Sequence, residues 1–364
     1  MEVVATTCFS HFFFFQHKRI CTKNSIVKRK CKDKGANVKC MVLEKSSAAE
    51  EAKRQSSSVY MLQTLTSWLL KQEEDGVIDA IVLSSISMAL WHVELDRCSW
   101  LGQVFSNCMR ASGRTGIIAS EEEHVPVAVE ESYYGNYIVV FDPLDGSPNI
   151  DAAVSTGSIF VNHIEYTCPN LQLDNLEQRC IANVCQPGNN LLAAGYCMYS
   201  SSVIFVLTLG NGVFSFTLDP MFGEFILTQK NIQIPKAGKI YAFNEGNYQL
   251  WDDRLKKYID HLKDPGPIGK PYAARYIGSL VGDFHRTLLY GGIYGYPRDK
   301  KSRNGKLRLL YECAPMSFIV EQAGGKGSDG QQRILDIQPV EMHQRVFFYI
   351  GSIEEVEILE KYFS

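Results

Sequence analysis

The chain is organised around the stretch Tyr137-Ile138-Val139-Val140-Phe141-Asp142-Pro143-Leu144-Asp145-Gly146-Ser147-Pro148-Asn149. Its first five residues are apolar, which predicts a buried strand. Pro143 and Gly146 then predict a tight turn directly after that strand. Asp142 and Asp145 are therefore expected just past a strand end, where α/β folds tend to place their chemistry.

This turn carries groups that suit both a cation and a phosphate. Two carboxylates three residues apart can point at a common ion, and carboxylate oxygens with a backbone carbonyl, such as that of Leu144, are ligands that Mg²⁺ prefers. Gly146 lets backbone N–H groups come close to an anion. A solvated loop of Asp, Pro and Gly is the alternative explanation.

A second acidic turn lies upstream of the first. The short apolar stretch Gly116–Ser120 predicts another strand, and it leads directly into Glu121-Glu122-Glu123. Adjacent carboxylates repel one another, and this repulsion is relieved by solvent at a surface or by a cation in a buried site. The two acidic turns together favour a functional site over two solvated loops.

The composition is that of an ordinary soluble globular protein. The chain has 364 residues, of which 45% are hydrophobic and 21% charged, with a net charge of -3. This length supports one large domain or two ordinary ones. The charge does not suggest nucleic acid or an anionic membrane surface, and no apolar run reaches the ~18 residues of a membrane helix. The eleven cysteines lack zinc-knuckle spacing, so a structural zinc site is rejected.

The composition also changes along the chain. Residues 1–45 are basic and poor in acids, which resembles an organelle transit peptide, with the plastid expected first and the cytosol as the alternative. Residues 46–58 predict a polar linker. The folded part is expected to divide into an N-terminal domain at residues 59–232 and a C-terminal domain at residues 233–364.

Helices and strands alternate along the folded part, which indicates an α/β fold. The predicted helices are Val59–Leu70, Val77–Leu95, Val104–Arg110, Trp251–Leu262, Ser279–Tyr290 and Glu312–Ala323. Further predicted strands are Gly157–Ile164, Val203–Leu209, Val213–Leu218, Glu224–Thr228 and Lys239–Phe243, with a hairpin at Gly210-Asn211-Gly212. Residues 165–189 predict a loop.

An ordered set of motifs between residues 59 and 364 resembles the fructose-1,6-bisphosphatase family (class I, plant plastid type), within the inositol-monophosphatase-like superfamily. The motifs are Ser120-Glu121-Glu122, Asp142-Pro143-Leu144-Asp145-Gly146-Ser147, Asn244-Glu245-Gly246, Ala274-Arg275-Tyr276-Ile277-Gly278-Ser279, Tyr290-Gly291-Gly292-Ile293-Tyr294-Gly295-Tyr296-Pro297 and Lys306-Leu307-Arg308-Leu309-Leu310-Tyr311-Glu312-Cys313.

The resemblance implies a layered α/β fold, a five-layered αβαβα sandwich of the sugar-phosphatase type. It implies Mg²⁺-dependent hydrolysis of fructose 1,6-bisphosphate to fructose 6-phosphate and phosphate, in a homotetramer. The N-terminal domain would be the phosphatase domain and the C-terminal domain the substrate-binding one.

The resemblance also implies roles for individual residues. The metal ligands would be Glu121, Asp142, Asp145, Glu312 and the carbonyl of Leu144. Glu121 and Glu122 would be catalytic, with Glu122 orienting and deprotonating the attacking water. The substrate-binding residues would be Asp145, Gly146 and Ser147 at the 1-phosphate, and Asn244, Tyr276, Tyr296 and Lys306 at the sugar and 6-phosphate, with Arg275 reaching in from a neighbouring subunit.

The chain departs from the family pattern in two places. A longer segment with a mobile loop is replaced by residues 90–103, and Gln103 stands where the family has an acidic residue. Pro148 stands where a serine is usual, and it lacks a backbone N–H. Because lid closure and general-base catalysis both contribute to rate, the first departure predicts reduced activity.

Three cysteines, Cys168, Cys180 and Cys185, resemble the thioredoxin-regulated cysteines of the light-activated plastid enzyme. Thioredoxin would then be a partner, whereas inert thiols are the alternative. Two other functions stay open. One is sedoheptulose-1,7-bisphosphatase activity, and the other is a non-catalytic subunit that joins intact homologues in a fructose-bisphosphatase oligomer.

Overall fold

The fold comes from a computed structural model that describes residues 62–77, 83, 86, 98–130, 135–164, 175–267 and 269–364, with the backbone alone at 98–100. The predicted leader and linker, Cys168, residues 90–97 and most of the predicted helix Val77–Leu95 lie outside the described residues. The described residues belong to one compact unit. Within them, no helix has the length and apolar character needed to cross a membrane.

The larger sheet contains eight strands. They are β1 (Thr115–Ser120), β2 (Val127–Ala128), β3 (Tyr137–Asp145), β4 (Thr156–Ile164), β5 (Ala193–Tyr199), β6 (Val203–Thr208), β7 (Val213–Asp219) and β8 (Glu224–Gln229). Their order is β2-β1-β3-β4-β5-β6-β7-β8, in which β1 and β3 are parallel. The predicted strand at Gly157–Ile164 and the predicted hairpin are confirmed by β4 and by the antiparallel pair β6 and β7.

The smaller sheet lies in the C-terminal part of the chain. Its strands are β9 (Ile240–Ala242), β10 (Ala273–Ala274), β11 (Ile293–Tyr296), β13 (Lys326–Ser328) and β15 (Phe348–Gly351), in the order β10-β9-β11-β15-β13. A separate antiparallel pair is formed by β12 (Leu307–Arg308) and β14 (Arg345–Val346). The predicted strand Lys239–Phe243 corresponds to β9, which is shorter than expected.

Seven α-helices are fully bounded in the described part of the chain. They are α1 (Leu65–Glu74), α2 (Cys98–Ala111), α3 (Leu176–Val184), α4 (Asp253–Lys263), α5 (Leu280–Tyr290), α6 (Ala314–Gln322) and α7 (Ile353–Phe363). Short 3₁₀ segments occur at Ser147–Asn149, Gly188–Asn190, Glu245–Leu250 and Ile334–Asp336. The predicted helices at Trp251–Leu262 and Ser279–Tyr290 are confirmed, with side-chain caps from Asp252 and Ser279 at their first turns.

The sequence prediction is wrong at the start of the first helix. Helix α1 begins at Leu65 rather than at Val59. The Leu227 N–H donates to the carbonyl of Gln63 at 2.9 Å, and Thr64 pairs with Ile226. The chain is therefore extended up to Thr64, whose side chain caps α1 by accepting the Ser67 N–H.

Two further predictions are wrong: one placed the start of a helix too late, and the other missed a helix. Helix α2 starts at Cys98, before the predicted Val104. Helix α3 lies inside residues 165–189, which predicted a loop. The side chain of Asn175 caps α3 by accepting the Glu177 N–H, and Cys180 and Val184 lie on its buried face, four residues apart.

Three hydrophobic clusters define five layers. Helices α1 and α2 pack on one face of the larger sheet, with Trp68 and Phe105 buried against Phe141 and Phe216. The other face of that sheet packs on α5 and α6, which also contact the inner face of the smaller sheet. Helices α4 and α7 cover the outer face of the smaller sheet. The predicted αβαβα sandwich is therefore confirmed.

Candidate active site

The neighbouring strands β1 and β3 bring the two acidic turns together. Both strands run in the same direction, so their carboxyl ends lie at the same edge of the larger sheet. Immediately after β1, the Glu121 N–H donates to the carbonyl of Phe141 on β3 at 3.1 Å. Glu121 is therefore fixed next to the end of β3, where the aspartates lie.

The aspartates lie inside β3 and not beyond it, which corrects the sequence prediction. The strand runs to Asp145, but its pairing with β4 shifts register between Asp142 and Asp145. Asp142 alternates with Ile138 and Val140 and so faces the middle layer of helices. Residues three apart on a regular strand face opposite sides, and the irregularity allows both carboxylates to face the same space.

Glu312 reaches this space from the C-terminal half of the chain. The predicted helix Glu312–Ala323 divides into a π-helical turn at Leu309–Cys313 and helix α6. Such wide turns are often found at functional sites. The Arg308 N–H donates to Glu312 Oε2 at 2.6 Å and holds the carboxylate in place.

The first turn of α5 supports Asp145. The Val281 N–H donates to Asp145 Oδ2 at 3.1 Å, and the Ser279 hydroxyl lies 3.5 Å from the same oxygen. The free N–H groups of a helix start favour a negative charge. Asp145 is therefore held as a carboxylate at a defined position, although it is only 8% exposed.

The three buried carboxylates form a group with unbalanced negative charge. One oxygen from each of Asp142, Asp145 and Glu312 lies within 4.8 Å of the others. Burial, followed by the charge of Asp145, raises the pKa of Glu312 to about 8. Burial raises the pKa of Asp145 to about 6, and burial and then Glu121 raise that of Asp142 well above its usual range.

This donor set fits a divalent metal ion. Its ligand atoms are hard carboxylate oxygens, and their mutual repulsion in a buried place is what a cation relieves. The N–H donors from Leu144, Val281 and Arg308 orient the three carboxylates without neutralising them. Asp142, Asp145 and Glu312 would hold the metal, with Glu121 next to them.

Arg308 is a site residue that the sequence interpretation did not assign. Its guanidinium forms an ion pair with Glu121, and Nη1 lies 3.9 Å from Glu312 Oε2. Lys306 and Arg308 are two residues apart around strand β12, so they share one side of the chain. The position of Arg308, two residues after Lys306 and four before Glu312, could have indicated from the sequence that it belongs to the site.

A cavity of about 260 Å³ contains the carboxylates and most of the predicted substrate-binding residues. The predicted residues on its wall are Glu121, Asp142, Leu144, Asp145, Gly146, Ser147, Tyr276, Tyr296, Lys306 and Glu312. The Lys306 ammonium lies 5.3 Å from the centre of the Tyr296 ring. The wall of the cavity therefore combines the carboxylates with two cations, Lys306 and Arg308.

The turn after β3 has the backbone shape that the sequence predicts. Gly146 has a φ of 77°, in the left-handed region that glycine adopts readily, and a 3₁₀ turn follows at Ser147–Asn149. Pro148 is accommodated in that turn but has no N–H for a ligand. The Asn149 amide donates to the carbonyl of Gly278 at 3.2 Å, which ties this turn to the loop that carries Tyr276.

Asp283 on α5 holds the loop 275–278 from beneath. It is fully buried, and its carboxylate accepts the N–H groups of Ile277 and Gly278, both at 2.9 Å. Arg286 donates to Asp283 at 2.6 Å and to the carbonyl of Arg275. The same helix start therefore supports both Asp145 and the loop with Tyr276.

The remaining predicted residues do not line this cavity. Glu122 is exposed beside Glu121, and loss of water followed by the charge of Glu121 raises its pKa. Asn244 caps the 3₁₀ segment that follows it, and Arg275 is exposed and donates to the carbonyl of Ala274 at 2.9 Å. Gln103 lines a separate cavity of about 290 Å³ together with Glu123.

Two of the predicted redox cysteines lie on helix α3. Cys180 is buried within the helix and Cys185 caps its end. Burial raises the pKa of Cys185 to about 11, which keeps this group a thiol at neutral pH. The Gln338 amide donates to the carbonyl of Cys185 at 2.9 Å and ties the helix end to the C-terminal part of the chain.

Two family profiles match most of the described chain. The profile of the fructose-1,6-bisphosphatase N-terminal domain matches residues 94–230, and that of the C-terminal domain matches residues 234–364. A solved structure, the holo form of Leishmania major fructose-1,6-bisphosphatase, is 40% identical with a TM-score of 0.76. It covers 84% of this chain and 100% of its own.

Chloroplastic plant proteins are more similar still. Fructose-1,6-bisphosphatase 1, chloroplastic, of Arabidopsis thaliana is 67% identical over 90% of this chain and 87% of its own length. The chloroplastic fructose-1,6-bisphosphatase of Pisum sativum is 65% identical over 91% and 89%. These relatives confirm the plastid over the cytosol as the location.

The alignment lengths show that this chain lacks residues that its relative has. The Arabidopsis alignment spans 366 positions, but 90% of 364 residues is only about 328, so about 38 positions have no residue in this chain. The N-terminal profile match begins at residue 94. The shortened segment before Gln103 stays a prediction. The profiles, the relatives and the shared architecture together show that the chain belongs to the fructose-1,6-bisphosphatase family, and within it to the chloroplastic plant type.

Proposed function

We propose that this chain hydrolyses fructose 1,6-bisphosphate to fructose 6-phosphate and inorganic phosphate, with Mg²⁺ as its metal. The observation that carries the proposal is the shared cavity. Its wall joins three buried carboxylates, the turn at Gly146 and Ser147, and the Lys306 ammonium. A bisphosphate has two anionic ends, and the cavity offers a different group to each of them.

The reacting phosphate is assigned to the carboxylate end. Bound metal would neutralise charge on the phosphate and lower the pKa of a coordinated water. The chain itself orients the phosphate through the N–H groups of Gly146 and Ser147. Glu122 is assigned the role of accepting the proton of the attacking water, because it follows Glu121 in the chain and loss of water raises its pKa.

The second phosphate and the sugar are assigned to the other end. Lys306 supplies positive charge, and the Tyr276 and Tyr296 hydroxyls can donate hydrogen bonds to phosphate or sugar oxygens. Asn244 and Arg275 lie outside this wall, so we propose that Arg275 serves the site of a neighbouring subunit in a homotetramer. Sedimentation of the purified chain tests that assembly.

We also propose that thioredoxin regulates the enzyme through Cys180 and Cys185. It is supported by their position on one short helix that contacts the larger sheet. Comparing activity after treatment with reduced and oxidised thioredoxin tests it. Equal activities would leave these cysteines as inert thiols.

The substrate assignment is tested by comparing phosphate release from fructose 1,6-bisphosphate and sedoheptulose 1,7-bisphosphate. We expect kcat/KM to be at least about tenfold higher for the fructose ester, a difference of about 1.4 kcal/mol. Equal or reversed values would contradict the assignment. The Arabidopsis, Pisum and Leishmania relatives are all fructose-1,6-bisphosphatases, which does not favour sedoheptulose bisphosphatase activity or a non-catalytic subunit.

The same assay tests the departure at Gln103. The Gln103→Glu variant is expected to change kcat by less than about threefold, because its cavity shares no wall residue with the one that holds the carboxylates. A tenfold or larger increase in kcat would show instead that an acid at this position acts on the nucleophile.

A further inference from the structure

We call the cavity that holds the carboxylates the active cavity. A further concave surface follows its Lys306 by one residue along the chain, and all of its charged side chains are cationic. It encloses about 360 Å³ and is lined by Lys300, Lys301, Ser302, Arg303, Asn304, Gly305 and Arg345. We call these residues the basic concavity. Four of them are cationic and none is a carboxylate, although the whole chain has a net charge of -3. Local charge and overall charge are therefore of opposite sign.

The backbone of this loop is held in one shape. Asp299 Oδ1 accepts the N–H groups of Lys301 at 2.8 Å and Ser302 at 2.6 Å. The Lys300 N–H donates to the carbonyl of Leu250 at 3.2 Å. Gly305 has a φ of 86° and lies so close to the Val346 carbonyl that no side chain would fit there. The cations therefore project from a fixed frame.

Asp252 and Asp299 lie close to the basic concavity in the chain, and each accepts hydrogen bonds from other groups. Asp252 accepts from Arg298 at 3.3 Å, and Arg298 also lies over the Phe347 ring. Asp299 accepts the backbone N–H groups of Lys301 and Ser302 through Oδ1. Within the described chain, no carboxylate forms an ion pair with Lys300, Lys301, Arg303 or Arg345. Asp252 and Asp299 do line an adjoining hollow together with Lys300 and Arg303, so they offset part of the positive charge without forming an ion pair with it.

Arg345 adds a second reason to expect an anion. It stands directly opposite Arg308 in the β12–β14 pair, and like charges at such positions repel. Arg308 is neutralised by Glu121 and Glu312, whereas Arg345 is exposed and turned to the basic concavity. An isolated surface lysine is normally satisfied by water. Four cations that line one hollow repel one another, and an anion bound among them would relieve that repulsion.

We propose that the basic concavity binds a small, multiply charged phosphate compound at a site distinct from the active cavity. The volume suits a metabolite rather than an extended chain. The guanidinium groups of Arg303 and Arg345 can each contact two phosphate oxygens, and the lysines add mobile charge. None of these residues lines the active cavity, although Lys306 on its wall directly follows Gly305.

Inorganic tripolyphosphate is the probe, titrated calorimetrically into the full chain in the presence of EDTA. A Lys306→Ala background lowers the phosphate affinity of the active cavity, and EDTA removes any metal that would hold a phosphate there. Combined Lys300→Glu, Lys301→Glu and Arg303→Glu substitutions are expected to weaken binding at least about tenfold. The matched control substitutes Lys230, Lys236 and Lys239, which are exposed and outside the basic concavity, by Glu. We expect it to retain affinity within about threefold, since screening weakens distant surface charges.

A single substitution guards against a folding defect in the triple variant. Arg345→Gln is expected to weaken tripolyphosphate binding by about threefold to tenfold with an unchanged melting temperature. The proposal is overturned if the triple variant binds as the parent does, or if the control loses affinity equally. It is also overturned if a glutamate-rich peptide binds and tripolyphosphate does not. Hydrolysis of fructose 1,6-bisphosphate is assayed separately, so either proposal can fail alone.

Discussion

The Glu312 carboxyl group is buried in a group of acids that the protein alone does not neutralise. Its folded-state pKa is raised from 4.5 to about 8. The folded protein therefore binds more protons than the unfolded chain between these values. Stability of the metal-free protein must fall as pH rises through this window and must be least affected below pH 4.5.

The Glu312→Gln variant removes this ionisation while it keeps the shape of the side chain. In EDTA, its free energy of unfolding is expected to exceed that of the parent by roughly 4–5 kcal/mol near pH 8.5, with the difference shrinking towards pH 5. Urea unfolding at several pH values measures this difference. Glu357→Gln, at an exposed position on α7, is the control and should show no trend. A difference that does not change with pH would contradict the assignment.

Asn162 on β4 is a polar side chain in an apolar layer. It is fully buried, and neither its amide nitrogen nor its amide oxygen has a hydrogen-bond partner among the described residues. It pairs with Val139 and Ala193 on the neighbouring strands. An unsatisfied buried amide destabilises a fold, whereas an apolar group of similar size does not.

The Asn162→Val variant is therefore expected to gain about 1–2 kcal/mol of unfolding free energy. Thermal unfolding followed by circular dichroism measures this gain, and phosphate release should not change. Asn162→Asp is the contrasting variant, because it adds a buried charge and should lose stability. A loss in the valine variant would show that the amide has a partner that stabilises it.

Helix α5 connects the two ends of the active cavity. Its first residues hold the metal-side carboxylate of Asp145, and Asp283 holds the loop with Tyr276 through two backbone N–H groups. Helices are stiffer than loops, so a site supported by one helix start keeps its parts in a fixed relation. Asp283 is a positioning residue, since it does not line the cavity itself.

The Asp283→Asn variant replaces one accepting oxygen by a donor that faces other donors. Loss of a hydrogen bond to a charged group corresponds to about 1.5–3 kcal/mol. We expect KM for fructose 1,6-bisphosphate to rise at least about tenfold, with kcat within about threefold. Steady-state kinetics beside Asp253→Asn, which is exposed on α4, checks this. A fall in kcat at constant KM would mean that the helix acts on the metal end instead.

Local sequence patterns predicted the elements whose conformation follows from the residue types within the element itself. The apolar run before Asp142 and the Gly210-Asn211-Gly212 hairpin are examples. The irregularity within β3 was not predictable, because it depends on how β3 pairs with β4. Helix α3 was missed for a similar reason. Its buried face, Cys180 and Val184, is short and is stabilised mainly by packing on the larger sheet.

Contacts between distant parts of the chain lie beyond such patterns. The sequence around Glu312 does not predict that its carboxylate lies beside that of Asp142. That contact depends on how the two sheets enclose α5 and α6. The family resemblance supplied that pairing. The ion pair of Arg308 with Glu121 and the support of Tyr276 by Asp283 emerged only from the folded molecule.

We propose that the molecule as a whole is a phosphatase whose carboxylates act through a bound metal. The measurement that tests this most directly is phosphate release from fructose 1,6-bisphosphate during a Mg²⁺ titration. It compares the parent chain with Asp145→Asn and with Asp151→Asn, an exposed aspartate in the same turn region. The parent should depend on Mg²⁺ and stop in EDTA. Asp145→Asn should be slower by at least about 100-fold, and Asp151→Asn should stay within about twofold. Release that persists in excess EDTA, or equal losses in the two variants, would contradict the account.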